Sequence, residues 1–241
     1  MDELSQAAQD YLKTIYCITE NGARATTNQL AEEMAVKPAS VTGMMQKMAK
    51  CQPPLVSYKK HQGVTLTAVG KQAALEMIRR HRLIESFLHE KLGYNWDEVH
   101  EEADRLEHVV SEEMEARMAA TLSHPERDPH GHPIPSIDLE TAPATEFPLI
   151  ELEVGQTAVI RRVCDNDPEI LRWLARHNLR PGTELRLNAI IPEGSLLIQS
   201  NNQQIDLLLP IAEILFVDLG KRHFQLVAKG SQTCQIQIQP N

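Results

Sequence analysis

At 241 residues the chain exceeds a typical single domain, and its 42% apolar and 24% charged composition reads as soluble and globular, with two or three folding units. It has no run of about 18 apolar residues such as a membrane helix needs, and no basic-then-apolar leader over residues 1–20, so a cytoplasmic location without a membrane partner is expected. The net charge of -9 hides an asymmetry: residues 1–80 carry 10 Lys/Arg against 7 Asp/Glu, and residues 81–146 carry 5 against 16. A basic start suits phosphates and an acidic middle suits cations, so total charge misleads on both.

In chain order, Leu4, Ala7, Ala8, Tyr11, Leu12, Ile15, Tyr16 and Ile18 recur at helical spacing and predict a first helix over 4–20, stopped by Asn21-Gly22. A short helix follows over 27–34, with Thr26 or Thr27 as its N-cap. After a tight turn at 35–37, Pro38 opens a third helix that runs to about Lys50. Two short helices joined by a brief turn suggest a helix-turn-helix. The segment 55–66, LVSYKKHQGVTL, then reads as a β-hairpin with a basic tip, which makes the unit a winged helix.

Thr67 is placed to cap a long helix over 68–91. Asn95 or Asp97 starts a further helical stretch to about Leu122, with a break near Ser111. The proline-rich stretch 124–147 reads as linker and irregular structure. Beyond it, short strands are predicted over 150–163, 184–191, 196–200, 203–208 and 214–219, with a small helix over 168–177. Five short strands and one small helix fit an SH3-like β-barrel. The Gln-rich tail over 221–241 either adds an edge strand or stays outside the fold.

In the third helix Val41, Met44, Met45 and Met48 form the inward stripe. This leaves Lys37, Ala39, Ser40, Thr42, Gly43, Gln46 and Lys47 on the other face. Small side chains at a helix start allow close approach to base edges, and lysines there, with Lys50 and with Lys59 and Lys60 on the hairpin, can meet phosphates. A short amphipathic helix pair alone is commonly ordinary core. The basic hairpin behind it turns the reading toward double-stranded DNA.

The run from His100 to His108, HEEADRLEH, puts His100, Asp104, Glu107 and His108 at steps of three and four, on one side of a helix. His81 and Glu85 repeat the i, i+4 spacing on the preceding long helix, and Asp10 lies on the first. Singly, such residues are usually solvated charges or structural histidines; together they point to a metal site. All the donors are nitrogen or oxygen, which suits Mn(II), Fe(II), Co(II) or Zn(II). The four cysteines, Cys17, Cys51, Cys164 and Cys234, form no CxxC pair and support neither a zinc ribbon nor a disulfide framework.

Taken together, Asp10-Tyr11-Leu12 with Thr14-Ile15-Tyr16, Ser40-Val41-Thr42, Arg80-His81-Arg82-Leu83 with Glu85, Val99-His100, Glu107-His108 and Gly131-His132-Pro133-Ile134-Pro135 carry a resemblance over nearly the whole chain. The sequence resembles the metal-dependent repressors of the diphtheria toxin repressor and manganese transport regulator family. The resemblance implies a mainly α protein with a small β domain: a winged-helix DNA-binding domain (1–72), a helical dimerisation and metal-binding domain (73–140), a linker (141–149), an SH3-like, FeoA-like domain (150–228) and a tail (229–241). By position it implies a primary metal site of Asp10, Asp104, Glu107 and His108. It also implies an ancillary site of His81, Glu85 and His100, helped by Glu169 and, behind it, Asp165 and Asp167 of the third domain, which otherwise read as a helix cap.

The family's iron-responsive branch carries methionine and cysteine at the positions of Asp10 and Asp104. Hard carboxylate oxygens at both positions resemble the manganese-responsive branch. The two-domain manganese regulator has a glutamate where this chain has Lys13, so separated sites are expected rather than its close two-metal cluster. The function so implied is a homodimeric repressor of metal-uptake genes, activated by Mn(II), with Fe(II) as the alternative, Co(II), Zn(II) or Cd(II) as substitutes and no organic cofactor. Metal would set the spacing of two recognition helices on operator half-sites roughly 34 to 36 Å apart or a multiple of it. A metallohydrolase is the competing class, but HxxxE at His81 and Glu85 is not the HExxH arrangement, and no nucleophile motif or Gly-rich phosphate loop is found, so no enzyme is expected. A third reading, acidic helices that only dimerise, predicts DNA binding indifferent to metal.

Overall fold

The first helix, α1 (Gln6–Thr19), forms because Ala8, Tyr11, Leu12 and Ile15 fall on one buried stripe. A computed structural model describes residues 4–20, 22–143, 145–164, 167–220, 224–229 and 233–238. Helix α2 (Thr27–Glu33) starts at a capping box that selects Thr26 over Thr27: Gln29 N–H donates to the Thr26 hydroxyl at 3.2 Å, and Thr26 N–H donates to Gln29 Oε1 at 2.9 Å. Pro38 sits in the first turn of α3 (Pro38–Ala49), whose Val41, Met45 and Met48 are buried, with Met44 partly so.

Strands β1 (Val56–Lys59) and β2 (Gly63–Leu66) pair antiparallel, from Val56 opposite Leu66 to Lys59 opposite Gly63. Ala25 adds two backbone hydrogen bonds to Val64, so the wing is stitched to the segment before α2. Helix α4 (Ala68–Leu92) is capped by Thr67, whose hydroxyl accepts the Gly70 N–H at 3.1 Å. Gly70 is required by packing: a Cβ there would lie 1.9 Å from the Leu55 carbonyl oxygen.

The helical stretch after α4 breaks where expected. Helix α5 (Val99–Leu106) ends before Ser111, which caps α6 (Glu112–Thr121) by accepting the Met114 N–H. It begins at Val99, later than the sequence reading, because residues 95–98 belong elsewhere: Trp96, only 2% exposed, lies in the core of the sheet unit. Arg79 and Arg80 both pair with Glu115, at 2.9 and 3.2 Å, tying α4 to α6. The stretch after α6 is irregular, as expected, and part of it is packed against α4 and α6. Ile134 is buried with Leu83, Ala119 and Leu122, and Arg79 and Arg82 donate to the carbonyls of Pro135 and Pro133.

The chain divides into two units, one of Met1–Tyr94, Val99–Asp128 and Pro133–Ala142, the other of Asn95–Glu98, Pro129–His132 and Pro143–Asn241. The second contains β3 (Phe147–Pro148), β4 (Thr157–Val163), α7 (Pro168–Arg176), β5 (Glu184–Ile191), β6 (Ser195–Ser200), β7 (Gln203–Leu208), α8 (Leu209–Glu213) and β8 (Leu215–Asp218). Its six strands form one antiparallel sheet in the order β3-β8-β4-β5-β6-β7 around Ile160, Leu174, Leu187, Ile198 and Val217. This is the SH3-like sheet domain, with two departures from the sequence reading. The single strand expected over 150–163 is a 3-10 turn at Leu149–Glu151, a turn, and then β4; β3 lies inside the expected linker. Strands β9 (Phe224–Lys229) and β10 (Thr233–Ile238) pair with each other as a hairpin that straddles the expected start of the tail at 229. No helix among the described residues is long and apolar enough to cross a membrane.

Candidate metal centre and DNA-facing surface

Helices α1, α4 and α5 pack together within the first unit, and their facing polar residues form one cluster. Within this cluster two triads each bring one ligand atom per residue within 4.8 Å of the others: Asp10, Glu107 and His108, and His81, His100 and Asp104. In the first triad His108 Nε2 lies 3.0 Å from Asp10 Oδ1 and 3.6 Å from Glu107 Oε1. His108 Nδ1 is 2.8 Å from Gln9 Oε1, an acceptor for the Nδ1–H, and this contact turns Nε2 toward the two carboxylates. Sequence reasoning missed Gln9; its signal is position, next to Asp10 and one turn before Lys13.

The second triad is denser. His81 Nε2 lies 3.0 Å from Glu85 Oε1 and 3.1 Å from His100 Nδ1, and the same Glu85 oxygen is 3.1 Å from His100 Nδ1. His81 Nδ1 is 2.6 Å from Glu107 Oε2, so Glu107 joins the two triads. Asp104 is brought to His81 and His100, at 3.4 and 3.5 Å, and so groups with the ancillary residues rather than with Asp10. Glu85 and Glu107 are buried, whereas Asp104 is 47% exposed.

The electrostatics follow from this crowding. Burial works against a charged His81, but Glu85 and hydrogen bonds with Glu107 and Glu85 outweigh it and raise its pKa to about 9. Burial would raise the carboxyls of Asp104 and Glu107. Lys13, His81 and His100 instead hold Asp104 below its ordinary value, and a hydrogen bond from His81, with the charges of His81 and Lys13, does the same for Glu107. Asp10 goes the other way, pushed up by burial despite His108 and Lys13.

In the sheet unit, the Asp167 carboxylate accepts the Glu169 N–H at 2.8 Å and caps α7, which realises the cap reading for that residue. Asp165 lies outside the described residues. Elsewhere in the first unit, Lys37, Ala39, Ser40, Gly43, Gln46 and Lys47 are exposed on α3, as are Lys59 and Lys60 on the wing. Thr42 is half-buried, its hydroxyl donating to the Pro38 carbonyl at 3.1 Å. A Cβ at Gly43 would meet nothing within 4 Å, so this part of the helix surface is open.

Comparison with known proteins decides the family. Residues 3–64 match the iron dependent repressor N-terminal DNA binding domain, residues 67–136 the iron dependent repressor metal binding and dimerisation domain, and residues 147–219 the FeoA domain. The chain belongs to the diphtheria toxin repressor and manganese transport regulator family. Among these metal-dependent transcriptional repressors, it is 29% identical to the diphtheria toxin repressor of Corynebacterium efficiens, over 90% of this chain and 97% of that protein. A structure described as a manganese-dependent transcriptional repressor in complex with manganese superposes with a TM-score of 0.80 at 38% identity, over 87% of this chain and 98% of the other. ScaR with bound Zn2+ gives 0.75 at 32%, over 88% and 98%.

Proposed function

We propose that this repressor is activated by Mn(II), binds operator DNA as a homodimer and controls metal-uptake genes. The observation that carries the reading is the convergence of Asp10 from α1 with Glu107 and His108 from the end of α5, ligand atoms within 4.8 Å of each other and all oxygen or nitrogen. This donor set fits a divalent ion of intermediate hardness; carboxylates at Asp10 and Asp104 favour Mn(II), with Fe(II) next and Co(II), Zn(II) or Cd(II) as substitutes.

Asp10, Glu107 and His108 would hold the activating ion, with Asp104 beside them; His81, Glu85 and His100 would form the ancillary site, with Glu169 as a candidate from the sheet domain. When bound, the ion supplies the positive charge that draws these carboxylates together. Asp10 then fixes α1, and with it the winged helix, to α5 of the dimerisation domain. Ser40, Thr42, Gly43 and Gln46 of α3 read base edges while Lys37, Lys47, Lys59 and Lys60 meet phosphates. The role is regulatory and not enzymatic, as family membership supports.

The test uses duplex DNA selected from a randomised pool by the Mn(II)-loaded full-length protein. Its affinity is then measured at fixed salt in chelator and against free Mn(II), Fe(II) and Zn(II), since phosphate contacts make affinity strongly salt-dependent. Binding that rises at least about a hundredfold with Mn(II) is the expected result, of the order of strong allosteric coupling. Equal binding in chelator and in Mn(II) means the acidic helices serve only to dimerise.

A further inference from the structure

Lys13 lies one turn after Asp10 on α1 and places an ammonium between the two donor triads. Its Nζ is 2.7 Å from Glu107 Oε1, 3.0 Å from Glu107 Oε2 and 2.9 Å from Asp104 Oδ1, with His81 Nδ1 3.4 Å away. Both oxygens of a carboxylate that is 1% exposed therefore lie against the same cation, with Oε2 shared with His81 Nδ1. The lysine side chain is itself only 20% exposed, so water screens its contact with Glu107 weakly, and its contact with the more open Asp104 less so.

A divalent ion and this ammonium make incompatible claims on the centre. Oxygen lone pairs directed at Nζ must be turned or released to coordinate a metal, and a doubly charged ion a few ångströms away repels an ammonium. Lysine is a compact charge on a four-carbon stem and can swing out without moving the helix. While in place, it neutralises Asp104 and Glu107 and so lets α1 and α5 approach despite their carboxylates. We infer that Lys13 is a resident counter-cation that competes with the activating metal for Asp104 and Glu107, and thereby raises the metal concentration at which the switch closes. The inference rests on Glu107 holding the activating ion with Asp104 beside it, as proposed above.

Competition has a two-sided signature. Removing the charge lowers stability without metal and raises metal affinity. A merely structural ion pair would give the first effect alone, and a lysine that positions Glu107 for metal would give weaker binding. Full-length Lys13→Gln and Lys13→Arg are compared with the unsubstituted protein at one pH and salt. Mn(II) affinity is read by competition with a fluorescent chelator, and melting temperature is read in EDTA.

Lys13→Gln is expected to bind Mn(II) about tenfold more tightly, a modest share of the repulsion between charges this close, and to melt a few degrees lower in EDTA. Lys13→Arg should stay near the unsubstituted protein. A second readout needs no variant: acylation of Lys13 by an amine-reactive reagent, followed by mass spectrometry, should rise several-fold when Mn(II) is added. Unchanged or weaker Mn(II) binding by Lys13→Gln, or Lys13 labelling that does not rise, overturns the inference while leaving the repressor reading intact. Failure of the unsubstituted protein to bind Mn(II) overturns activation by Mn(II) instead.

Discussion

The outer face of α3 and the centre between α1, α4 and α5 are both rich in polar side chains, yet they are held in opposite ways. On α3 the apolar residues Val41, Met45 and Met48 are buried and the polar ones are left in solvent, so the surface exists whatever the charge state of its lysines. In the centre the polar groups themselves are buried: His81, Glu85 and Glu107 are each under a tenth exposed and depend on one another and on Lys13. A surface built on apolar packing is a fixed tool. A cluster of mutually compensating charges can be reset by one ion, as a switch requires.

The sharpest way to break that contrast is to delete one residue from each region. Glu107→Ala takes from Lys13 its one buried carboxylate and leaves His81 with Glu85 as its remaining buried carboxylate, and should cost about 3–5 kcal/mol of stability in chelator, as well as abolish the Mn(II) response. Met45→Ala should cost a similar 2–5 kcal/mol through the cavity it leaves, with unchanged Mn(II) affinity of the folded protein. Urea unfolding in EDTA and chelator competition check both; loss of Mn(II) affinity in Met45→Ala would show that the two regions are not separable.

A smaller effect is expected from Lys47→Ala on the exposed face. Affinity for the selected duplex should fall across sequences, and the slope of log affinity against log salt should drop by about 1, with Mn(II) binding unaltered. A salt titration checks it, and an unchanged slope removes Lys47 from the phosphate contacts.

The gentlest probe is pH. The pKa of His81 is raised from an ordinary 6.5 to about 9, so its contribution to stability is complete below pH 6.5 and is lost as pH rises through 9. In chelator, stability should therefore decline over pH 6.5 to 9. Mn(II) affinity should increase over the same window, because a ligating His81 must first give up its proton. Melting curves and Mn(II) titrations at each pH test this, and Mn(II) affinity flat across the window would argue against His81 as a ligand.

Much of this was legible in the sequence because periodicity reports burial. The stripe on α3, the Thr67 cap, the break near Ser111 and the wing follow from spacing and turn chemistry alone. The residues of the polar cluster are legible as a set, since His100 and Asp104 share a helix face and His81 and Glu85 repeat that step. Their grouping is less so. The resemblance puts Asp104 beside Asp10, but its i, i+4 partner His100 lies on the same helix, whereas α5 ends at Leu106 and His108 lies in the turn beyond it, where helical spacing no longer fixes its direction.

The place of Lys13 was hidden, because its contacts with Asp104 and Glu107 span some ninety residues and no local pattern links them. Trp96 misled the helix start for a related reason: its burial depends on strands that come much later in the chain.

The central claim is that one ion couples the α1–α5 junction to the DNA-reading surface. Mn(II) affinity of the full-length protein, measured with and without saturating selected duplex, tests it most directly, because coupling between two ligands is reciprocal. The account predicts that DNA tightens Mn(II) binding by the same factor by which Mn(II) tightens DNA binding, and that Asp10→Ala removes both. Equal Mn(II) affinity with and without DNA would contradict it.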